Sequence, residues 1–439
     1  MAMNNKTIDW LNIGLMILSL GLAFLLPFEL FLFSYAVLGP LHYLTEIGWL
    51  HKRDYFLPDQ KAAKLFLSSI VVLGILLVWS AFGAEWLPNF HGLSLGGWGA
   101  NIILGSLLLA GLLVFIKSPV QRAVAAGLIG IFLLVFQIER PATVVRIEGK
   151  EVARTMEWKE NPYILVRGMQ VQRENGNVEP DFGVLFRRGF DGLNPVEYSL
   201  VKSGFALTPP KGCSVANASG FVIPYGKSPE ISFEGSLTQF ALFVAVFLPT
   251  LVHVFIFTGL FMAFGAIKSK SKPGWLSVIL LLLCGLLPFI WFPSIHMGEI
   301  SSYIEESYRS SFFEVNRQFL RWFGALKGGD QASADVAVFR STLGVGLMRF
   351  IAFAYTYHYL NWFSKTSLIQ WHKMPKSTLI AIGLIWLASL MLYGFSYKTG
   401  LKALFLLSFL HVFLEFPLNF ASIKGLTGAL SASFIRKSK

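Results

Sequence analysis

Apolar runs of 18 residues or more recur along this chain, and each is long enough to cross the hydrocarbon core of a bilayer as a helix. Candidate spans fall at 10–27, 29–50, 63–83, 97–116, 121–138, 237–266, 274–293, 336–363, 377–395 and 400–422. Five lie on each side of a polar stretch running from Glu139 to Leu237. Composition agrees: 54% of residues are hydrophobic and 14% charged, against roughly 25% charged in soluble domains. The expected fold class is an all-α polytopic membrane protein of about ten transmembrane helices, with an inserted small β-rich extracytoplasmic domain. The expected domains are a first five-helix bundle over 1–138, the insert over 139–236, and a second five-helix bundle over 237–439.

The net charge of +12 does not point to nucleic acid, because the basic residues cluster in short loops between the apolar runs. The expected partner is the lipid bilayer. With the N-terminus inside, Lys52, Arg53, Lys61, Lys64, Lys117, Arg122, Lys268, Lys270, Lys272, Lys365, Lys373 and Lys376 all fall in inner loops, and Lys424, Arg436, Lys437 and Lys439 in an inner tail. Cytoplasmic loops carry this excess of Lys and Arg. The outer loop 84–96 has neither, and only Lys398 and Lys402 run against the pattern. Both termini are therefore expected in the cytoplasm, and a bacterial inner membrane is the expected location. The first apolar segment lacks a small-residue cleavage site and reads as a retained helix.

The insert holds short alternating runs such as "TVVRIEG", "YILVRGMQVQ", "FGVLFRR" and "GFVIPYG", with a turn signal at Asn175-Gly176. No catalytic motif occurs in it, and its expected role is structural or the docking of a protein partner. Asn217-Ala218-Ser219 is a glycosylation triplet of the kind that arises by chance. Cys213 and Cys284 lie in unlike settings, which argues against a disulfide. Over 301–327, Ile304, Tyr308, Phe312, Val315, Phe319 and Phe323 recur at helical spacing, with Arg309, Arg317 and Arg321 among them. Ser302 and Glu305 form a candidate capping box. This reads as one amphipathic helix, lying on the membrane surface or packed on the insert.

Of eight histidines, His51, His91, His296 and His372 fall in or beside loops. The other four, His42, His253, His358 and His411, lie inside spans 2, 6, 8 and 10, which all run in one direction. Counted along their spans at about 1.5 Å per residue, the four fall within about one and a half turns of depth. A single buried histidine is usually a hydrogen-bonded core residue, and each intramembrane one is costly without a partner. Four at one depth point to a shared metal or haem site, since imidazole is the commonest metal ligand and suits iron, copper and zinc. Glu46, Asn361 and Glu415 follow His42, His358 and His411 by four, three and four residues. That spacing puts each on its histidine's helix face, able to orient it, to ligate, or to form a proton or ion path. Arg349, Tyr355 and Tyr357 are candidates to line a cavity and take part in chemistry there; an aromatic lining would suit a long apolar substrate.

The segments "GPLHYLTE", "YTYHYLNWFSK" and "LHVFLEF" resemble the histidine segments of the bacterial Brp/Blh-type β-carotene dioxygenases, polytopic membrane enzymes in which four histidines on transmembrane helices hold a non-haem iron. The order here is Gly-Pro-x-His where that family has Gly-x-Pro-His. The resemblance implies that His42, His253, His358 and His411 hold iron.

No zincin, phosphate-loop or nucleophile-elbow motif is present. The expectation is a membrane-embedded metal-dependent enzyme, an iron oxygenase acting on a carotenoid or other lipophilic small molecule, with zinc, copper or haem as the other candidate cofactors. A proton-coupled transporter or channel using the same His/Glu path, or a haem-binding electron-transfer subunit, are the alternatives.

Overall fold

The computed structural model describes residues 5–86, 99–135, 142–147, 150–155, 163–188, 195–202, 213–217, 222–223, 231–236, 243–292, 300–326, 331–365 and 374–437. The described helices are α1 (Asn5–Leu25), α2 (Pro27–His51), α3 (Gln60–Trp86), α4 (Gly99–Phe115), α5 (Pro119–Val135), α6 (Phe243–Ser269), α7 (Lys272–Ile290), α8 (Ser302–Arg309), α9 (Phe313–Trp322), α10 (Gln331–Phe339), α11 (Thr342–Ser364), α12 (Lys376–Phe395) and α13 (Tyr397–Lys437).

Among the described residues, seven of these are long and apolar enough to cross a membrane: α1, α2, α3, α6, α7, α12 and α13. An eighth is added if α10 and α11, separated by a short break, form one span. The described residues thus carry seven or eight of the ten expected spans by length and composition. α4 and α5 are shorter apolar helices over their 17 described residues each.

Residues 1–137, 243–320 and 338–439 form one compact unit. The helices before and after the insert therefore belong together and are not two separate bundles. Within this unit α2 packs on α11 and α13, and α6 packs on the same two helices. The four make a closed ring of neighbours. Association of helices in lipid relies on close packing and on hydrogen bonds between helices. Ser34 and Thr356 share such a bond (2.8 Å), as do Tyr43 and Tyr359 (2.9 Å), and the Trp362 indole donates to Thr45 Oγ1 (3.0 Å). All three zip α2 to α11.

Two of the ring helices depart from α geometry. α2 widens into a π segment over Ser34–Leu38, and α6 is a π-helix over Phe243–Phe257 with Pro249 inside it. Proline lacks the N–H that an α-helix needs at this point and clashes with the preceding turn. Such widened turns gather at functional sites.

The amphipathic stretch after residue 300 is two helices and not one. Ser310 and Ser311 turn their hydroxyls back to the Ser307 carbonyl (3.0 and 2.7 Å), a bond that competes with the helix ladder. The cap of α8 is Ser301, whose Oγ accepts from the Ile304 amide, in place of the expected Ser302. The apolar side of the whole stretch is packed on protein: Tyr308 of α8 meets Phe28 edge-on, Phe312 in the turn meets Phe31, and Phe319 of α9 meets Phe247.

Residues 138–242 and 321–337 form the second compact unit. Its described strands are β1 (Ala142–Ile147), β2 (Lys150–Thr155), β3 (Tyr163–Gln172), β4 (Val178–Arg188), β5 (Pro195–Lys202), β6 (Cys213–Asn217), β7 (Val222–Ile223) and β8 (Ile231–Ser236). One sheet has the order β2-β1-β8 and the other β5-β4-β3-β6, with β7 also paired to β3. The β3–β4 hairpin turns at Asn175-Gly176, where Gly176 takes a φ of 80° and the Asn175 side chain accepts from the Asn177 amide. Asn217 closes β6, and Ala218 and Ser219 lie outside the described residues.

Candidate metal centre

The stretch Gly39-Pro40-Leu41-His42-Tyr43-Leu44-Thr45-Glu46 leaves the π segment of α2 and turns its side chains into the helix ring. A Cβ on Gly39 would stand 2.9 Å from the Tyr43 hydroxyl and 3.3 Å from that of Tyr359. The absence of a side chain there is what lets the two hydroxyls pair. Tyr43 then stacks on the imidazole of His411 at 4.1 Å.

His42 on α2, His253 on α6, His358 on α11 and His411 on α13 converge and are all buried, 1%, 2%, 7% and 3% exposed. Their rings form a closed circuit. Centroids are 4.7 Å apart for His42 and His358, 5.1 Å for His358 and His253, 5.1 Å for His253 and His411, and 5.4 Å for His411 and His42. The circuit follows the same order as the helix contacts.

Among these rings His358 is held by a hydrogen bond from outside the circuit. His358 Nδ1 is 2.8 Å from Thr258 Oγ1 on α6, so an Nδ1–H donated to the hydroxyl leaves Nε2 with its lone pair. His253 Nδ1 is 3.0 Å from Glu415 Oε2, an ion-pair distance without hydrogen-bond geometry. His42 Nε2 lies 3.0 Å from Glu46 Oε2.

A cation fits this donor set. His42 Nε2 is 3.1 Å from His358 Nε2 as well as 3.0 Å from Glu46 Oε2, and a single N–H cannot serve both. Two ligands each about 2.1 Å from one ion are themselves roughly 3.0 Å apart at a right angle and about 3.4 Å apart at a tetrahedral angle. The His42–His358 separation falls in that window. His42, Glu46 and His411 each present a donor atom within 4.8 Å of the others. The buried His253 Nε2 has no hydrogen-bond partner among the described residues, the condition expected of a ligand atom. Two carboxylates beside four imidazoles supply the negative charge that a divalent ion balances.

A cavity of about 200 Å³ touches His253, His358 and His411. Tyr35, Tyr43, Phe312, Tyr355, Phe405 and Phe409 wall it, so it is aromatic on several sides. Tyr35 is fixed by a bond to Ser408 (3.1 Å).

The structure distributes the expected site residues unevenly. Tyr355 lines the cavity. Tyr357 does not: its hydroxyl donates to Met262 Sδ at 3.4 Å and its ring stacks along Phe353. Arg349 does not either, and its guanidinium lies over Phe24 at 4.7 Å. On a helix that turns about 100° per residue, Arg349 points roughly opposite to His358 and stands about 13 Å away along the axis. Glu46 sits against its own helix's His42, as its spacing suggested. Glu415 instead reaches across to His253 on α6, and Asn361 leaves the orienting of His358 to Thr258 and lines another cavity. His51 pairs with the Tyr55 hydroxyl at 3.0 Å. His91, His296 and His372 lie outside the described residues. Cys213 opens β6, and Cys284 on α7 is a buried free thiol. Thr258, Tyr35, Tyr43 and Tyr359 carried no motif that marked them in advance.

No family model matches this chain, and no curated protein or solved structure matches it.

Proposed function

We propose that this chain is a membrane-embedded metal-dependent enzyme, an iron oxygenase acting on a carotenoid or another long lipophilic substrate. The observation that supports this reading is the ring of four histidines with two carboxylates, opening on an aromatic cavity. His42, His253, His358 and His411 would hold the ion, with Glu46 as a further ligand or as a proton acceptor at its carboxylate. Bound there, iron would supply the activation of dioxygen, provided coordination positions stay open. The remaining work belongs to the chain. Thr258 holds the orientation of the His358 imidazole, and Glu415 places a carboxylate beside His253. Tyr35, Tyr43 and Tyr355 with Phe312, Phe405 and Phe409 present π faces to an elongated substrate and keep water from the reacting end. Shape and apolar lining of this kind, with few polar groups, are the mark of a small-molecule site.

A haem reading fits less well. A porphyrin needs an open plane between its axial imidazoles, and each pair of neighbouring rings here is flanked by the other two histidines. We place the protein in a bacterial inner membrane with both termini cytoplasmic, and the strand-bearing unit outside as a structural or partner-docking element. The basic short loops support that orientation.

The test is turnover by the purified full chain, loaded with ferrous iron and given β-carotene and oxygen in detergent. Cleavage of one double bond by one O₂ yields two carbonyl products. Their formation by the wild type and loss in His358→Ala supports the proposal. Absence of substrate consumption across carotenoid and isoprenoid substrates, by iron-loaded protein, rejects it.

A further inference from the structure

A second cavity, of about 450 Å³ and partly open to the surroundings, is lined by residues of α1, α6, α7 and α11 and shares none of its lining with the aromatic one. Its character is different. Asp9, Asn12, Lys268, Ser277, Asn361 and Lys365 bring charge or hydrogen-bonding capacity to it. They come from the start of α1, the end of α6, the start of α7 and the end of α11. The direction of the chain puts those four ends at one face, the face that bears the N-terminus.

The inner end is Asn361, buried, with Oδ1 unpartnered among the described residues. It follows His358 by three residues and so stands about 4.5 Å further along α11, close to the same helix face. The outer part is organised: Ser271 donates to Asp9 Oδ2, and Ser364 donates to Asn12 Oδ1 at 3.0 Å. Lys365 lines the cavity at the C-terminal cap of α11. Burial pulls its ammonium down to about 8, while Asp9 at the mouth and Glu415 beside His253 act in the opposite sense.

We propose that this cavity is a hydrated inlet that carries water and protons between the N-terminal membrane face and the histidine–carboxylate ring. A cavity holds water when it is roomy and offers several polar partners, and ionisable groups at such depth mark proton paths. Each hop breaks one O–H or N–H bond and forms another on the next group, so no co-reactant is needed. The arrangement separates two kinds of traffic: apolar substrate through the aromatic cavity, protons through this one. An interfacial ion pair between Asp9 and Lys365 would account for those two charges, but not for a bare amide oxygen at the depth of Asn361. What the protons serve rests on the metal-enzyme reading; the entry of water does not.

The experiment is thiol accessibility in membrane vesicles of known sidedness, on the full chain with Cys213→Ser and Cys284→Ser. Ser277→Cys, Met262→Cys and Asn361→Cys are compared with Leu283→Cys, whose side chain is 55% exposed on the outer surface of α7. The probe is a charged, membrane-impermeant methanethiosulfonate. The inlet predicts that Asn361→Cys and Met262→Cys react at least about tenfold faster than Leu283→Cys, and only from the N-terminal face. Rates equal to that of Leu283→Cys in variants that melt normally overturn it, as does fast labelling of Ser277→Cys alone, which would mean a shallow cleft. Metal content measured on the same preparations separates the two readings, since labelling can succeed in protein that binds no metal.

Discussion

At the scale of single residues, Gly39 and Thr258 show how little chemistry is needed to aim an imidazole. Gly39→Ala would push a methyl group to 2.9 Å from the Tyr43 hydroxyl. The Tyr43–Tyr359 bond and the stack on His411 must give way. A loss of about 1–3 kcal/mol in stability is expected, the usual cost of overpacking, and a melting curve in detergent checks it. Thr258→Val keeps the shape and removes the hydroxyl 2.8 Å from His358 Nδ1. Loss of such an outer partner weakens metal binding by about 10–100-fold, which a competitive chelator titration reads; an unchanged affinity would remove Thr258 from the account. Tyr357→Phe, by contrast, should leave metal affinity unaltered, because its hydroxyl faces Met262. Helical geometry alone separates Tyr355, about 60° from His358 around α11, from Tyr357 at about 100° and Arg349 at about 180°. That distinction was available in the sequence. Thr258 was not, since nothing in one helix states how its neighbour is rotated.

At the scale of elements, the π segments explain why depth could be read from the sequence while partners could not. Counting at 1.5 Å per residue tolerates a widened turn, because one inserted residue changes depth little. It rotates every later side chain by about 100°, however, so facing relationships are lost. Glu415 therefore meets His253 across the ring, although its spacing from His411 pointed to its own helix. Pro249→Ala removes the residue that disfavours regular α geometry in α6. It is expected to lower metal occupancy markedly without unfolding the chain, as judged by metal analysis beside a melting curve.

A second element-scale prediction concerns the start of α3. Asp59 caps it by accepting from the Ala62 amide at 2.7 Å, and Arg122 of α5 adds an ion pair at 2.9 Å. These two contacts hold the Asp59 carboxyl below the ordinary carboxylate range. Folding thus favours the ionised form. Its contribution is complete above the unfolded value of about 4 and is lost as pH falls through the lower folded value. Asp59→Asn should lower stability above pH of about 5, where the ionised carboxylate contributes in full, and match the wild type in strong acid, so that the acid side of its profile is flatter. Equal acid sensitivity in both proteins would contradict this.

At the scale of the whole molecule, the closed circuit α2–α11–α6–α13 joins helices from both sides of the insert into one unit. The membrane class was legible because apolar run length and basic loops are properties of composition along the chain. The number of spans was less so. Runs such as 97–116 and 121–138 are apolar enough, and the described helices there cover 17 residues each. The convergence of four histidines was legible from depth alone, since intramembrane imidazoles are costly apart and useful together. The closure of the ring, and the aromatic cavity beside it, depend on packing that no single segment encodes.

The central claim is that the ring holds one metal ion, and the most direct measurement is metal stoichiometry with an optical spectrum. It is made on protein purified in mild detergent, with His358→Ala and His411→Ala carried through beside the wild type. The account predicts about one ion per wild-type chain, no Soret band, and loss of the ion in both variants while they still melt cooperatively. Wild-type protein that stays metal-free after exposure to iron, zinc and copper, or variants that retain the ion in full, would contradict it.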